Sequence, residues 1–255
     1  MQIDGIGAII TGAASGLGRA TAGLLVERGA NVLLLDRDEA GLAKAVAELG
    51  TSARSFGVDV TDFDAVRAAI EDYASSAVVR VVVNCAGIGI AKRVIDRAGE
   101  PHDLASFKKI IDVNLIGTFN VMAIGASVIA RSAPLEFEER GVIINTASIA
   151  AYDGQVGQLA YSASKGGIVG MTLPAARDLS SVGIRVMTIA PGIVDTPLLG
   201  QLPDSVREAL AKGIPFPKRL GVPADYAHLA VAIVENGYLN GEVIRMDGSL
   251  RMAPK

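Results

Sequence analysis

The sequence has no tryptophan, one cysteine, two histidines and an aromatic content of only 4%. With Cys85 alone, no intrachain disulfide can form, which excludes the small stapled scaffolds of secreted proteins. His102 stands in a polar loop and His228 in a helical segment, neither with a partner at ligand spacing, so no metal site is expected. Acidic and basic residues are interspersed to a net charge of −3, and no cluster of Lys and Arg offers a nucleic-acid footprint. No run of about 18 apolar residues suggests a membrane span, and the first apolar run starts too near Met1 to leave room for a signal or transit peptide. These absences predict a cytoplasmic protein without membrane or nucleic-acid partners.

What the chain has instead is aliphatic. Half of its 255 residues are hydrophobic and 29 are glycine, a composition suited to packed layers of Ala, Val, Ile and Leu. Apolar runs at 6–11, 31–36, 53–58, 78–86, 141–147, 184–191 and 242–246 alternate with helical patterns at 16–28, 39–49, 62–75, 104–131, 160–181 and 224–235. Runs of Val, Ile and Leu without polar alternation predict strands buried on both faces, as in parallel sheets. No linker or repeat divides them. The parsimonious fold is a single α/β domain of Rossmann type, one doubly wound sheet with helices on both faces. Its nucleotide end covers about 1–115 and its catalytic and substrate end about 116–255.

The first run leads into Thr11-Gly12-Ala13-Ala14-Ser15-Gly16-Leu17-Gly18, then a helix. Gly12, Gly16 and Gly18 would let the backbone turn tightly and approach a pyrophosphate, whose oxygens suit the free N–H groups of a helix N-terminus. Asp36 ends the second run, where a carboxylate accepts from an adenosine ribose diol and repels a 2′-phosphate, favouring NAD over NADP. Arg37 follows it and would pull the other way. Asp59 and Val60 close the third run, with Asp59 read either as an acceptor for the adenine amino group or as a helix cap. Asn84, Cys85, Ala86 and Gly87 close the fourth, at the strand ends where such sheets bind ligands. Cys85 reads as a small buried filler, since no His or Lys neighbours it in sequence.

Tyr161 and Lys165, at i and i+4, share a helix face and pair a phenol with an ammonium. A cation close by would favour the phenolate and lower the tyrosine pKa. Ser148, after the fifth run, would face the pair and hold a substrate oxygen with it. Gln155 and Gln158 flank the helix entrance as candidate substrate contacts. Pro191 and Gly192 end the sixth run, and the apolar segment 196–203, opening at Thr196, is read as a lid. The loop 91–103 carries Lys92, Arg93 and Arg97, either a solvated surface or a site for coenzyme A phosphates.

Thr11 to Gly18, Asn84 to Gly87, Asn114, Ser148, Tyr161, Lys165 and Pro191-Gly192 occur in the order expected of the short-chain dehydrogenase/reductase family, which the whole chain resembles. The stretches 154–174, 184–192, 215–221 and 239–248 are similar to the type 2 3-hydroxyacyl-CoA dehydrogenase branch of that family. The resemblance implies a seven-stranded sheet of order 3-2-1-4-5-6-7 and hydride transfer between a secondary alcohol and the B face of NAD. It implies contacts to NAD from Ser15, Leu17, Asp36, Asp59, Val60, Cys85, Tyr161, Lys165 and Val194, with Pro191, Gly192 and Thr196 beside the nicotinamide. Ser148 would contact the substrate, a 3-hydroxyacyl-CoA, and Asn114 would hold a water linked to Lys165 unless it only caps a helix irregularity. The family is usually tetrameric, with two long helices packing across one interface. One departure is Val194-Asp195, where that branch carries an aromatic residue and a glycine. Hydroxysteroid or other secondary-alcohol oxidation, acyl-carrier-protein reduction, and a non-catalytic sensing or scaffold role remain as alternatives.

Overall fold

A computed structural model describes residues 1–200 and 202–254. Gln201, within the expected lid, lies outside the described residues. Seven strands, β1 (Gly7–Thr11), β2 (Asn31–Asp36), β3 (Ala53–Gly57), β4 (Val79–Asn84), β5 (Gly141–Thr146), β6 (Ile184–Pro191) and β7 (Val243–Met246), form one sheet of order β3-β2-β1-β4-β5-β6-β7. Every pairing in it is parallel. The helices are α1 (Gly16–Glu27), α2 (Glu39–Leu49), α3 (Phe63–Ala74), α4 (Leu104–Ile111), α5 (Gly117–Ile129), α6 (Leu159–Asp178), α7 (Asp204–Gly213) and α8 (Pro223–Glu235).

Successive strand residues point to opposite faces, and here both faces are covered, which is why the strands lack polar alternation. Ile10, Leu34, Val83, Ile144 and Ile189 pack under Leu25 of α1 and Val231 of α8. Their neighbours Ile9, Leu33, Val82, Ile143 and Val186 pack under Ile70 of α3 and Val121 of α5. Each such fully buried aliphatic side chain contributes about 1.5–3 kcal/mol.

The edges depart from expectation. β3 buries only Ala53, and Arg54 to Gly57 are exposed, because β3 has one neighbour and little covers its faces. β7 at the other edge is half-buried throughout. The helix expected over 104–131 is interrupted by a π-helical turn, Asp112–Ile116, which carries Asn114. By length and mean hydropathy (1.4) the stretch Leu104–Ile129 could cross a membrane, but 56% of its most apolar window is buried against the sheet and neighbouring helices. α7 was not legible as a helix: its apolar positions are few and none of its residues is buried.

Strand order reverses between β1 and β4, so their carboxyl ends diverge and open a crevice. The Thr11 hydroxyl spans it, accepting from the backbone N–H groups of Cys85 and Ala86 at 3.1 Å each.

Candidate active site

Two adjoining clefts occupy the carboxyl side of the sheet. The first, about 260 Å³, is lined by the turn Gly12 to Gly18, by Asp36 and Arg37, by Asp59 and Val60, and by Cys85 to Gly87. The second, about 410 Å³, holds Ser148, Gln155, Gln158, Tyr161, Lys165, Pro191, Gly192 and Val194. Leu17, Cys85, Gly87, Thr196 and Leu198 line both, so the clefts are continuous.

The first turn has the shape a dinucleotide needs. Gly12 is left-handed (φ 63°), and a Cβ there would lie 2.8 Å from the Cys85 carbonyl carbon. A Cβ on Gly18 would lie 2.4 Å from the Gly12 carbonyl oxygen, so helix and turn approach as closely as glycine permits. Helices α2, α3 and α4 are capped by Asp38, Asp62 and Asp103, whereas Ser15 gives α1 no side-chain cap and its first turn carries no acid. The α1 amides are thus left for an anionic ligand, which is what a pyrophosphate would use.

At the adenosine end, the Asp36 carboxylate accepts from the N–H groups of Ala14 and Asp38, both at 3.0 Å. Those bonds hold it fixed at the cleft wall. Arg37 lies 3.5 Å from the Asp59 carboxylate, an ion pair that occupies part of its charge. Asp59 also accepts from the Thr61 N–H and hydroxyl. Burial alone would raise its pKa, yet those hydrogen bonds and the Arg37 charge leave it below the usual carboxylate value. The helix-cap reading of Asp59 does not hold, since Asp62 caps α3 by accepting from Ala65 N–H. Asn84 is set back from both clefts, its amide donating to Asn145 across the β4–β5 pair at 2.9 Å.

In the second cleft, Ser148 begins a 3₁₀ turn after β5 and its hydroxyl accepts from Ala150 N–H at 3.1 Å. Tyr161 and Lys165 project from α6, with the Lys165 Nζ 5.7 Å from the tyrosine ring centroid. Their electrostatics correct the expectation that the lysine depresses the tyrosine pKa. Burial raises the Tyr161 pKa above its usual value, opposed by the nearby Ser148 hydroxyl. Lys165, only 4% exposed, is itself lowered by burial to about 8. Its ammonium lies over the ring face and donates to the Thr146 carbonyl at 2.8 Å.

Asn114 is fully buried behind the lysine and lines neither cleft. Its amide accepts from Ile88 N–H (2.8 Å) and donates to Ile88 O (3.0 Å) and to the Ser164 hydroxyl (3.1 Å). It therefore clamps the segment after β4 to α6, one residue from Lys165, and the π-helical turn presents it there. π turns of this kind recur at functional sites. Gly87 fits between: a Cβ on it would be 3.3 Å from the Asn114 Oδ1 and 3.5 Å from the Lys165 Nζ.

The sequence did not single out several residues that shape this site. Thr146 holds the lysine through its carbonyl, and its hydroxyl is 2.7 Å from that of Tyr226, a fully buried residue of α8. Leu210 and Met252 line the second cleft from α7 and the C-terminal tail. Neither stands in a motif or periodic pattern that could have marked it. Asp195, the departure noted above, pairs with Arg207 of α7 and lines neither cleft. Cys85 is half-buried where the clefts meet, and desolvation raises its thiol pKa, in keeping with a filler. Lys92 is ion-paired with Asp103 and bonded to Ser106, whereas Arg93 and Arg97 are exposed without an ion pair among the described residues.

A family model described as short chain dehydrogenase matches residues 7–206. A 3-hydroxyacyl-CoA dehydrogenase type-2 from Bos taurus is 54% identical over 258 residues, covering 99% of this chain and 98% of the relative. A protein of the same name from Drosophila melanogaster is 50% identical over 248 residues, 96% of this chain and 97% of the relative. The crystal structure of 3-hydroxyacyl-CoA dehydrogenase type-2 from Mycobacterium avium matches with a TM-score of 0.95 and 45% identity, covering 98% of both chains.

Proposed function

The chain belongs to the short-chain dehydrogenase family and is an oxidoreductase using a nicotinamide cofactor, and we propose that its reaction is the NAD-dependent interconversion of a 3-hydroxyacyl-CoA and its 3-oxo form. One observation carries the reading: Ser148, Tyr161 and Lys165 line a cleft continuous with the glycine-turn cleft. A carbinol carbon held there lies beside both an acid–base group and a dinucleotide. The bound nicotinamide supplies the hydride acceptor. Tyr161 takes the hydroxyl proton, Ser148 orients the oxygen and steadies its developing charge, and Lys165 holds the nicotinamide ribose. Because burial disfavours ionised Tyr161 here, Ser148 is the neighbour that offsets it.

NAD rather than NADP is supported by the fixed Asp36 carboxylate and by the partial engagement of Arg37 with Asp59. The acyl-CoA assignment is supported by the names of the relatives and by the exposed Arg93 and Arg97, on the loop that follows the cleft residue Ala91, available for the phosphates of coenzyme A. A homotetramer belongs to the same proposal, supported by exposed apolar side chains on the long helices, Phe119 of α5 and Leu173 of α6, and by Ile116 between α4 and α5. The segment Thr196 to Leu199 touches both clefts and is assigned as their lid.

The test is a steady-state panel pairing acetoacetyl-CoA, steroids and short secondary alcohols with NAD(H) and NADP(H), run on the wild type and on Tyr161→Phe. Turnover of the thioester with NAD(H) is expected, falling about 10²- to 10⁴-fold in the variant. Cofactor binding without turnover in the wild type would favour a sensing role instead.

A further inference from the structure

Residues 250–254 return to the substrate cleft. After β7, Arg245 organises the turn: its guanidinium donates to Asp153 (2.6 Å), to Asp247 (2.7 Å) and to the Leu250 carbonyl (3.1 Å). It also stacks over the Tyr152 ring, 5.1 Å from the centroid. Leu250 is buried against Ile149 and Ile214. Farther on, the Gln155 side-chain amide donates to the Ala253 carbonyl at 2.8 Å, and the Val156 N–H donates to the Pro254 carbonyl at 3.1 Å. Chain termini fray unless tied. This one is tied on both sides of Met252, by Leu250 before it and by Ala253 and Pro254 after it.

Met252 itself lines the substrate cleft, packed with the apolar group of Ile149 and Ile193 beside Ser148. Gln155, expected to touch substrate, has its amide donor committed to the tail. We propose that the C-terminal strap is a wall of the substrate cleft, that Met252 sets the length of carbon chain accepted on the carbinol, and that Gln155 positions the strap. The acyl-CoA part of this inference rests on the function proposed above. A methionine suits such a wall, since its unbranched thioether adapts to the contour of an apolar ligand. Its reach also fills volume that a longer chain would otherwise enter. Gln155 is a positioning residue, acting through Ala253 on where Met252 stands.

The experiment compares full-length wild type, Met252→Ala, Met252→Trp and Gln155→Ala on a ladder of straight-chain 3-oxoacyl-CoA thioesters, from acetoacetyl-CoA to 3-oxododecanoyl-CoA, with NADH. Removing the side chain is expected to raise the long-to-short ratio of kcat/KM about tenfold, and the larger ring to lower it by a similar factor. Gln155→Ala is expected to move the ratio in the same direction as Met252→Ala but less far. A ratio constant to within about twofold in Met252→Ala, with melting temperature and NAD binding retained, overturns the proposal. If Met252→Trp fails to fold, Met252→Ala decides alone. Equal loss at every chain length in Gln155→Ala removes that residue's role. Should the wild type reduce no thioester, the acyl-CoA reading fails, and the ladder is repeated with straight-chain 2-ketones, where the same ratio supports or overturns the wall.

Discussion

The nucleotide cleft and the substrate cleft are built differently. The first is made chiefly at the ends of four adjacent strands, from turns that follow each strand directly, with Thr196 to Leu198 closing one side. The second gathers the turn at Ser148, the α6 face, the segment from Ile193 to Leu199, α7 and the tail at Met252. A site of strand ends inherits its geometry from the sheet, whereas a site of loops depends on contacts such as Lys165 to the Thr146 carbonyl and Gln155 to Ala253. Recognition of the shared cofactor falls to the rigid part, and selection of the variable substrate to the part that can differ.

That contrast implies that a small change should be felt most at the nucleotide end. Gly18→Ala would drive a methyl group against the Gly12 carbonyl, with no flexible side chain to give way. A stability loss of about 1–3 kcal/mol is expected, together with a loss of NAD affinity of at least about tenfold, read by thermal melting and calorimetry. If Gly18→Ala binds NAD like the wild type, the nucleotide end is not the rigid partner.

Next is Asp36→Ser. Removing the carboxylate takes away both a ribose acceptor and the charge that opposes a 2′-phosphate, so the NAD-to-NADP ratio of kcat/KM should fall about tenfold or more. An unchanged ratio would return the choice of cofactor to Arg37.

The junction of the clefts has its own signature in pH. Lys165 titrates near 8 in the folded protein and at its ordinary 10.5 when unfolded. Between those values the unfolded chain binds the additional proton, so this residue adds stability as pH rises through the window; below about 8 the benefit is absent. Affinity for the dinucleotide should move oppositely, since only the ammonium donates charge-assisted hydrogen bonds. Raised pKa values at Cys85 and Tyr226 act against stability at high pH, so the effect is read as the difference between wild type and Lys165→Met. Parallel trends in stability and affinity would contradict a buried lysine that holds the ribose.

The smallest effect belongs to the outer rim. Arg93→Glu with Arg97→Glu should raise the KM for acetoacetyl-CoA about threefold to tenfold while sparing a short alcohol, because exposed charges are well screened. Equal effects on both substrates would remove coenzyme A from the loop.

The sequence itself determined the sheet, its parallel sense and the nucleotide turn. Unbroken Val, Ile and Leu can persist only where both faces are covered, and the spacing of Gly12, Gly16 and Gly18 is local chemistry. It also placed Ser148, Tyr161 and Lys165, though not their state. Only the tertiary structure decided that Lys165 reaches the Thr146 carbonyl, that burial raises Tyr161, that Asn114 stands on a π-helical turn, and that Met252 comes back to the cleft. Periodicity reports which side of an element is buried. It carries no information about which distant segment meets that side, and desolvation, the force that sets these charges, depends entirely on that meeting.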